Sequence, residues 1–427
     1  MNKTKELFII SFALFSLFFG AGNLILPPYL GLKSGALWWL VTIGFCLSAV
    51  VVPILGVQAY SKLQGTMYDF GKKVSPLFSL VYSFIIYAIA ITLPSPRTAS
   101  VTHEIAIAPL FDSSPLNTSI VYFGLVFLFV INRSKILGII GKWLTPGILL
   151  ILLLIIGKSI FFDSTIIGGN SFLNPLTEGV LEGYQTFDGI GAIVVGGVII
   201  VSVNLRFKEE SFEEKRDIIS KAGWIAGLGL LLVYTGLIFS GATFQSMFDT
   251  TISRSNLLKS ISSFTLGTNA SLFLSILVSL ACFTTCVGII TGTADYFQSR
   301  LPRYNKVYFV TAFMSCALGL LIGQLDVAKI IQVAIPILII VYPVTIVLIL
   351  LNIIPSKFNS DFVFKVVVYT TIIFSIPDLL NSLGYGEEFN YLTSWIPFTS
   401  LSIGWLVPAL VSFVISNFLE RYWLKNV

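Results

Sequence analysis

A succession of long apolar runs constrains this chain more than any other feature. Twelve can be marked, roughly over residues 6–31, 36–60, 74–94, 118–132, 138–161, 176–204, 217–243, 270–298, 305–323, 328–353, 362–381 and 395–418. About 20 apolar residues cross a bilayer as a helix. With no water in the hydrocarbon, backbone polar groups must be paired within the protein, which leaves helices or closed barrels. Barrel strands are alternating segments of about ten residues, and these runs are longer and do not alternate. The expected fold is therefore all-α, a polytopic membrane protein of about 12 transmembrane helices in a single transmembrane domain over residues 1–427. The charge content agrees: 11% of residues are charged, against about 25% in soluble domains. Residues 94–116, with Pro94, Pro96 and Arg97, either extend the third helix or form a short re-entrant piece, and are not counted separately.

Lysine and arginine set the orientation. With the N-terminus in the cytoplasm, only Lys33, Arg97, Lys158, Arg254, Lys259 and Lys329 of the 26 basic residues fall on the outer side; Arg133 and Lys425 are among those placed inside. Both termini are expected to be cytoplasmic. The net charge of +5 reads as a topology signal, and no loop carries a basic run with interleaved aromatics, so nucleic acid is not an expected partner; the lipid bilayer is. The first run is preceded by Lys3 and Lys5 and contains the small residues Gly20-Ala21-Gly22, as a secretory signal would. It continues through Leu24 to Leu32, and an uncleaved first span is expected. Cys46, Cys282, Cys286 and Cys316 lie inside apolar runs without CxxC spacing and read as packing residues. The stretch RFKEESFEEKRDIISK, Arg206 to Lys221, reads as a solvated connector, and Asp163 to Thr177 as a turn-rich loop.

Two spans look interrupted. The first reads FFGAGNLILPP from Phe18 to Pro28, with Pro27 and Pro28 expected to start and shape an outer half-helix. The sixth reads GYQTFDGIGAIVVGG from Gly183 to Gly197, with Asp188 followed by Gly189, Gly191, Gly196 and Gly197. A single glycine in a membrane helix is usually a packing residue. Here glycines occur with Asn23, a double proline and an intramembrane acid, in spans five helices apart. Paired interruptions of that kind point to an inverted-repeat transporter, with repeats over approximately 6–161 and 176–353 and the last two helices, approximately 362–418, outside them.

A mid-membrane break frees backbone groups, which is tolerable only where they line a site. The N–H groups of the following half-helix carry a positive dipole end that suits a carboxylate. The carbonyls of the preceding half suit a hard cation. In span eight, LACFTTCVG carries adjacent Thr284 and Thr285. Such hydroxyls often bond back to their own helix; beside a broken first helix they could join the Ala281 carbonyl in an oxygen shell for a monovalent cation. Asp188 has equal claims as ion ligand, proton acceptor, partner of a substrate ammonium, or cap of a half-helix. Asp378 is a weaker case outside the repeat, and His103, the only histidine, reads as a surface or loop residue. One histidine and no paired intramembrane carboxylates disfavour a metal-dependent membrane enzyme. Nothing repeats as a ring of pore ligands would, which disfavours a channel.

FFGAGNLILPPYLG (18–31) with the Trp-rich second span, LPSPRTASVTHEIAIAPL (93–110), GYQTFDGIGAIVVGG and LACFTTCVG (280–288) resemble the bacterial branched-chain amino acid:cation symporters, the BrnQ or LIVCS family, over almost the whole chain. That resemblance implies the LeuT-like fold, a 5+5 inverted repeat with broken helices 1 and 6. It implies a bacterial inner-membrane protein that is not an enzyme, needs no cofactor beyond Na⁺ or H⁺ as coupling ion, and imports leucine, isoleucine and valine. It also implies roles. Gly20, Ala21 and Gly22 would present backbone to the substrate carboxylate, and Thr186, Phe187, Asp188, Gly189, Ile190 and Gly191 would line the pocket. Ser16 and Phe19 would offer carbonyls to the cation beside Ala281, Thr284 and Thr285, while Asn23 would hold a second ion or brace the break. Where many relatives read Asp-Ala-Leu-Ala, this chain has Asp188-Gly189-Ile190-Gly191, a departure that bears on preference among aliphatic substrates, up to a different amino acid as substrate.

Overall fold

The computed structural model describes residues 3–132, 135–161, 168–385, 388 and 395–421. Arg133, Lys425 and loop residues 163–167, named above, lie outside the described residues. Among these, every regular element is helical. Eight helical runs are long and apolar enough to cross a membrane by length and composition, and Pro115–Ile131, Val307–Ile322 and Leu406–Leu419 are shorter apolar helices. Exposed Leu77, Phe84, Val121, Leu128, Leu153 and Leu232 give the bundle the apolar outer surface that lipid contact requires.

The expected spans fall on helix with informative differences; in the twelfth, 395–405 is turn and a short 3-10 piece, and the helix is Leu406–Leu419. The first is two half-helices, Lys3–Phe18 and Ala21–Ser34. Pro27 and Pro28 do not start the second half: it begins at Ala21 and the prolines lie inside it. Each removes an N–H that would have bonded the carbonyl four residues back. The sequence Gly31 with Gly241 explains how this half seats. A Cβ on Gly31 would come within 1.8 Å of the Ile238 carbonyl, and one on Gly241 within 1.9 Å of the Pro28 carbonyl. Only hydrogen at both positions lets Ala21–Ser34 lie backbone-to-backbone on the Phe212–Thr243 helix.

Of the 94–116 segment, residues 94–107 extend the third helix, 108–114 are turn and coil, and Pro115 begins the next helix. Pro76–Thr92 turns at Leu93 into Pro94–Val101 and then a π-turn over Thr102–Ile107. His103 in that turn is half-buried and pairs through Nδ1 with Thr118 Oγ1 at 2.9 Å, so it is a helical residue and not a loop one. A helix not evident from hydropathy, Arg254–Leu266, lies between spans seven and eight, and Ser253 Oγ accepts from the Asn256 N–H at its start. The charged connector is also more than a solvated loop. Ser211 and Glu214 form a capping box that opens the Phe212–Thr243 helix. Lys3 pairs with Glu210 and Glu214, and Arg206 with Glu6 at 2.7 Å, which ties the chain's start to this corner. All four cysteines are buried and free.

Candidate functional site

The first break is a two-residue gap. The Phe19 N–H still reaches the Phe15 carbonyl at 2.8 Å. Gly20 then turns extended, with φ −113° and ψ −159°, and its N–H goes to Asn23 Oδ1 at 3.1 Å. In an unbroken helix that N–H would have bonded the Ser16 carbonyl. The freed Ser16 carbonyl instead accepts from Thr284 Oγ1 at 3.0 Å and Thr285 Oγ1 at 3.3 Å. Thr284 also reaches the Ala281 carbonyl at 3.1 Å, and Ser16 Oγ donates to Thr284 Oγ1 at 2.9 Å. The structure thus brings Ser16, Ala281, Thr284 and the half-buried Thr285 together as one group of oxygens. Gly20 packs on it, because a Cβ there would stand 2.8 Å from Thr285 Oγ1. Phe19 points its ring elsewhere, stacked between Phe15 and Tyr234.

The second break lies earlier than its glycines suggest. Pro175–Tyr184 ends in tight turns: the N–H groups of Gln185, Thr186 and Phe187 reach the carbonyls of Glu182, Gly183 and Tyr184. Phe187 adopts φ +64°, unusual for a bulky residue, and Asp188–Arg206 starts immediately after it. Gly189, Gly191, Gly196 and Gly197 are therefore helical, and the interruption is Gln185–Phe187. Strain concentrated at one non-glycine residue is a mark of sites that the surrounding structure holds in place.

Asp188 does not cap its half-helix. It is the first helical residue, with no side-chain cap at the N-cap Phe187; the Asp188 N–H is taken by Thr186 Oγ1 at 3.2 Å and the Gly189 N–H by Tyr342 OH at 2.8 Å. Its carboxylate crosses to the other break. Asp188 Oδ2 accepts from Asn23 Nδ2 at 2.6 Å and from Tyr234 OH at 2.9 Å, and Asn23 Nδ2 also donates to Tyr234 OH. Asn23 and Asp188 are 1% and 3% exposed and Tyr234 fully buried. Asn23 thus braces both breaks: its carbonyl oxygen holds the Gly20 N–H, and its amide nitrogen holds Asp188.

A narrow cavity beside this bridge is lined by Leu17, Phe18, Pro94, Thr186, Phe187, Asp188, Ile190, Gly191, Val195, Thr285 and Ile289, among others. Its walls are mostly apolar, with Thr186, Asp188 and Thr285 as the polar points. Gly189 is not on it; that residue packs on the Tyr342 ring. Ala21 and Gly22 are not on it either, and Gly22 faces Arg97 and the Gln185 carbonyl instead.

Sequence reasoning missed three residues here. Tyr234 and Tyr342 arrive from spans seven and ten, and nothing in an isolated helix marks a tyrosine as a bridge. Arg97 reads as an outer-segment charge, yet it is 2% exposed. Its Nη1 donates to the Gln185 carbonyl at 2.7 Å, and its guanidinium carbon stands 5.0 Å from the Phe187 ring centre. The proline-rich spelling of its helix was the only available signal. Above this point Arg254 pairs with Glu182 at 2.7 Å and donates to Gln185 Oε1 at 2.9 Å.

The family model described as branched-chain amino acid transport protein matches residues 3–423. This chain belongs to that family. It is 32% identical to the branched-chain amino acid permease BraB of Bacillus subtilis, over 98% of this chain and 96% of that protein. It is also 32% identical to the branched-chain amino acid transport system 2 carrier protein of Pseudomonas aeruginosa, over 98% and 97%. Its fold is similar to those of a Na⁺-coupled sialic acid symporter (TM-score 0.61, 14% identity, 97% of this chain and 90% of that one) and MhsT in complex with L-phenylalanine (0.52, 14%, 97% and 98%). The family member is a multi-pass membrane transport protein of the LeuT-like fold, not an enzyme, and its two breaks fall in the first and sixth expected spans.

Proposed function

We propose that this chain is a secondary active symporter that imports branched-chain amino acids, coupled to Na⁺ or H⁺, by alternating access. The observation that carries the reading is the bridge Asn23–Asp188–Tyr234, which ties two mid-helix breaks into one buried site beside an aliphatic cavity. The names of the relatives and the family description support the substrate class. The first-turn N–H groups of Ala21 and Gly22 lack partners within their own helix, and would hold the substrate carboxylate at the positive end of that half-helix. Thr186, Phe187, Ile190 and Gly191 would contact the branched side chain. Asp188 would face the substrate ammonium or take up a proton.

The monovalent cation would sit among Ser16, Phe19, Ala281, Thr284 and Thr285. Carbonyl and hydroxyl oxygens suit hard cations, and the carbonyl released by the first break is the one the threonines reach. Such a site would couple ion to substrate through a single element, since closing on one reshapes the other. We place the chain in the bacterial inner membrane with twelve spans and both termini cytoplasmic, on the bias of its basic residues.

The test is accumulation of labelled leucine, isoleucine and valine in proteoliposomes containing the purified protein, with a Na⁺ gradient or a pH gradient imposed. The expected result is concentrative, saturable uptake with one of them. Equilibration without accumulation under both gradients would contradict symport.

A further inference from the structure

Arg97 is a buried cation with no ion-pair partner among the described residues. Buried charges are ordinarily paired, because leaving one uncompensated is costly. Two acids act on it at longer range, Asp188 and Glu182, against the like charge of Arg254. Each is engaged elsewhere: Asp188 Oδ2 by Asn23 and Tyr234, Glu182 Oε1 by Arg254. Of the five guanidinium N–H donors, one on Nη1 is used by the Gln185 carbonyl, and the buried Nε has no partner.

The guanidinium also lies against the opening turn of the Ala21–Ser34 half-helix. A Cβ on Gly22 would stand 2.6 Å from Arg97 Nη2. Glycine there leaves room for the fork, held by the Gln185 carbonyl and the Phe187 ring, against the first turn of this half-helix. An anion held by the N–H groups of that turn would come within reach of Nη2. The stacking of the guanidinium on Phe187 and its bond to Gln185 fix it between the two breaks.

We propose that Arg97 is a specificity-determining residue that recognises the carboxylate of the transported amino acid, completing its missing ion pair with the substrate. This rests on the amino-acid symport reading above. It makes the α-carboxylate, rather than the side chain alone, a condition of tight binding, and it gives Gly22 a second task besides exposing its backbone. A guanidinium fork matches a carboxylate in a way an ammonium does not.

The test is equilibrium binding of labelled leucine to the purified full-length protein in lipid nanodiscs, with unlabelled leucine and leucinamide as competitors. Leucinamide keeps the ammonium and side chain and replaces the carboxylate with a neutral amide. The wild type should prefer leucine. In Arg97→Gln, leucine affinity should fall about tenfold or more while leucinamide affinity stays within about twofold, so the preference collapses. Arg97→Lys should fall between, and Gly22→Ala should shift the preference in the same direction by displacing Nη2. Equal losses for both ligands, or unchanged leucine binding in Arg97→Gln, would overturn the proposal. If Arg97→Gln does not fold, the same comparison in Arg97→Lys and Gly22→Ala decides it. A wild-type protein that binds no leucine would instead sink the amino-acid reading itself.

Discussion

The two broken helices solve one problem in opposite ways. The first breaks at Phe19 and Gly20, without a positive φ, and offers mainly backbone. Its freed Ser16 carbonyl goes to threonines of another helix, and its Gly20 N–H to Asn23. The second breaks at Gln185–Phe187, takes its strain at Phe187, and fills its opening N–H groups with side-chain oxygens from Thr186 and Tyr342. A break with its polar groups already satisfied is a wall. The first break leaves first-turn N–H groups without partners in their own helix, and Arg97 Nη2 lies against Gly22 there. On the reading proposed above, the first break would take the substrate carboxylate, and the second would take its ammonium, at Asp188, and its apolar body.

That assignment can be broken in graded steps. The largest effect is expected from Asp188→Ala. It removes the carboxyl group that joins the breaks and leaves Asn23 and Tyr234 without their acceptor, a loss of about 3 kcal/mol, or on the order of a hundredfold in leucine uptake; retention of more than half of the wild-type rate would refute the bridge. Next comes Gly20→Ala. The new Cβ, 2.8 Å from Thr285 Oγ1, must push that hydroxyl off the Ser16 carbonyl. The cation concentration for half-maximal uptake should rise up to about tenfold, and an unchanged cation dependence would detach the first break from the ion.

Thr284→Ala and Thr285→Ala sharpen the same point by rank. Thr284 bonds two carbonyls and receives the Ser16 hydroxyl, whereas Thr285 makes one longer bond. Cation activation curves should shift more for Thr284→Ala, and the reverse order would show that the oxygens are not arranged as an ion shell. The smallest effect is expected from Tyr342→Phe, which orphans the Gly189 N–H in the second break. It should lower thermal stability by about 1–2 kcal/mol and change cation dependence little. A large change in cation dependence would erase the distinction between the breaks.

Much of this was legible in the sequence because membrane helices are written plainly. Apolar length marked most of the spans, and of the Gly20-Ala21-Gly22-Asn23 run only Gly20 lies in the first break, beside Phe19, while Gly22 and Asn23 are already helical. The prolines misled, since a helix packed against a neighbour through Gly31 and Gly241 can carry Pro27 and Pro28 within it. In span six the right segment was found with the wrong residues, because glycine signals freedom to unwind but does not compel it. Gly189 and Gly191 stay helical while Phe187 takes the left-handed turn. Tyr234, Tyr342 and Arg97 were beyond local reading: their roles come from where three other spans cross the breaks, and only packing decides that.

The claim on which the account turns is that the two breaks act as one site. Leucine dissociation constants for Asn23→Ala, Asp188→Asn and the double variant test it most directly. The bridge predicts that the double variant costs no more than about twice what the costlier single variant does in affinity, because either change already disconnects the breaks. Losses that multiply, as they do for independent sites, would contradict it.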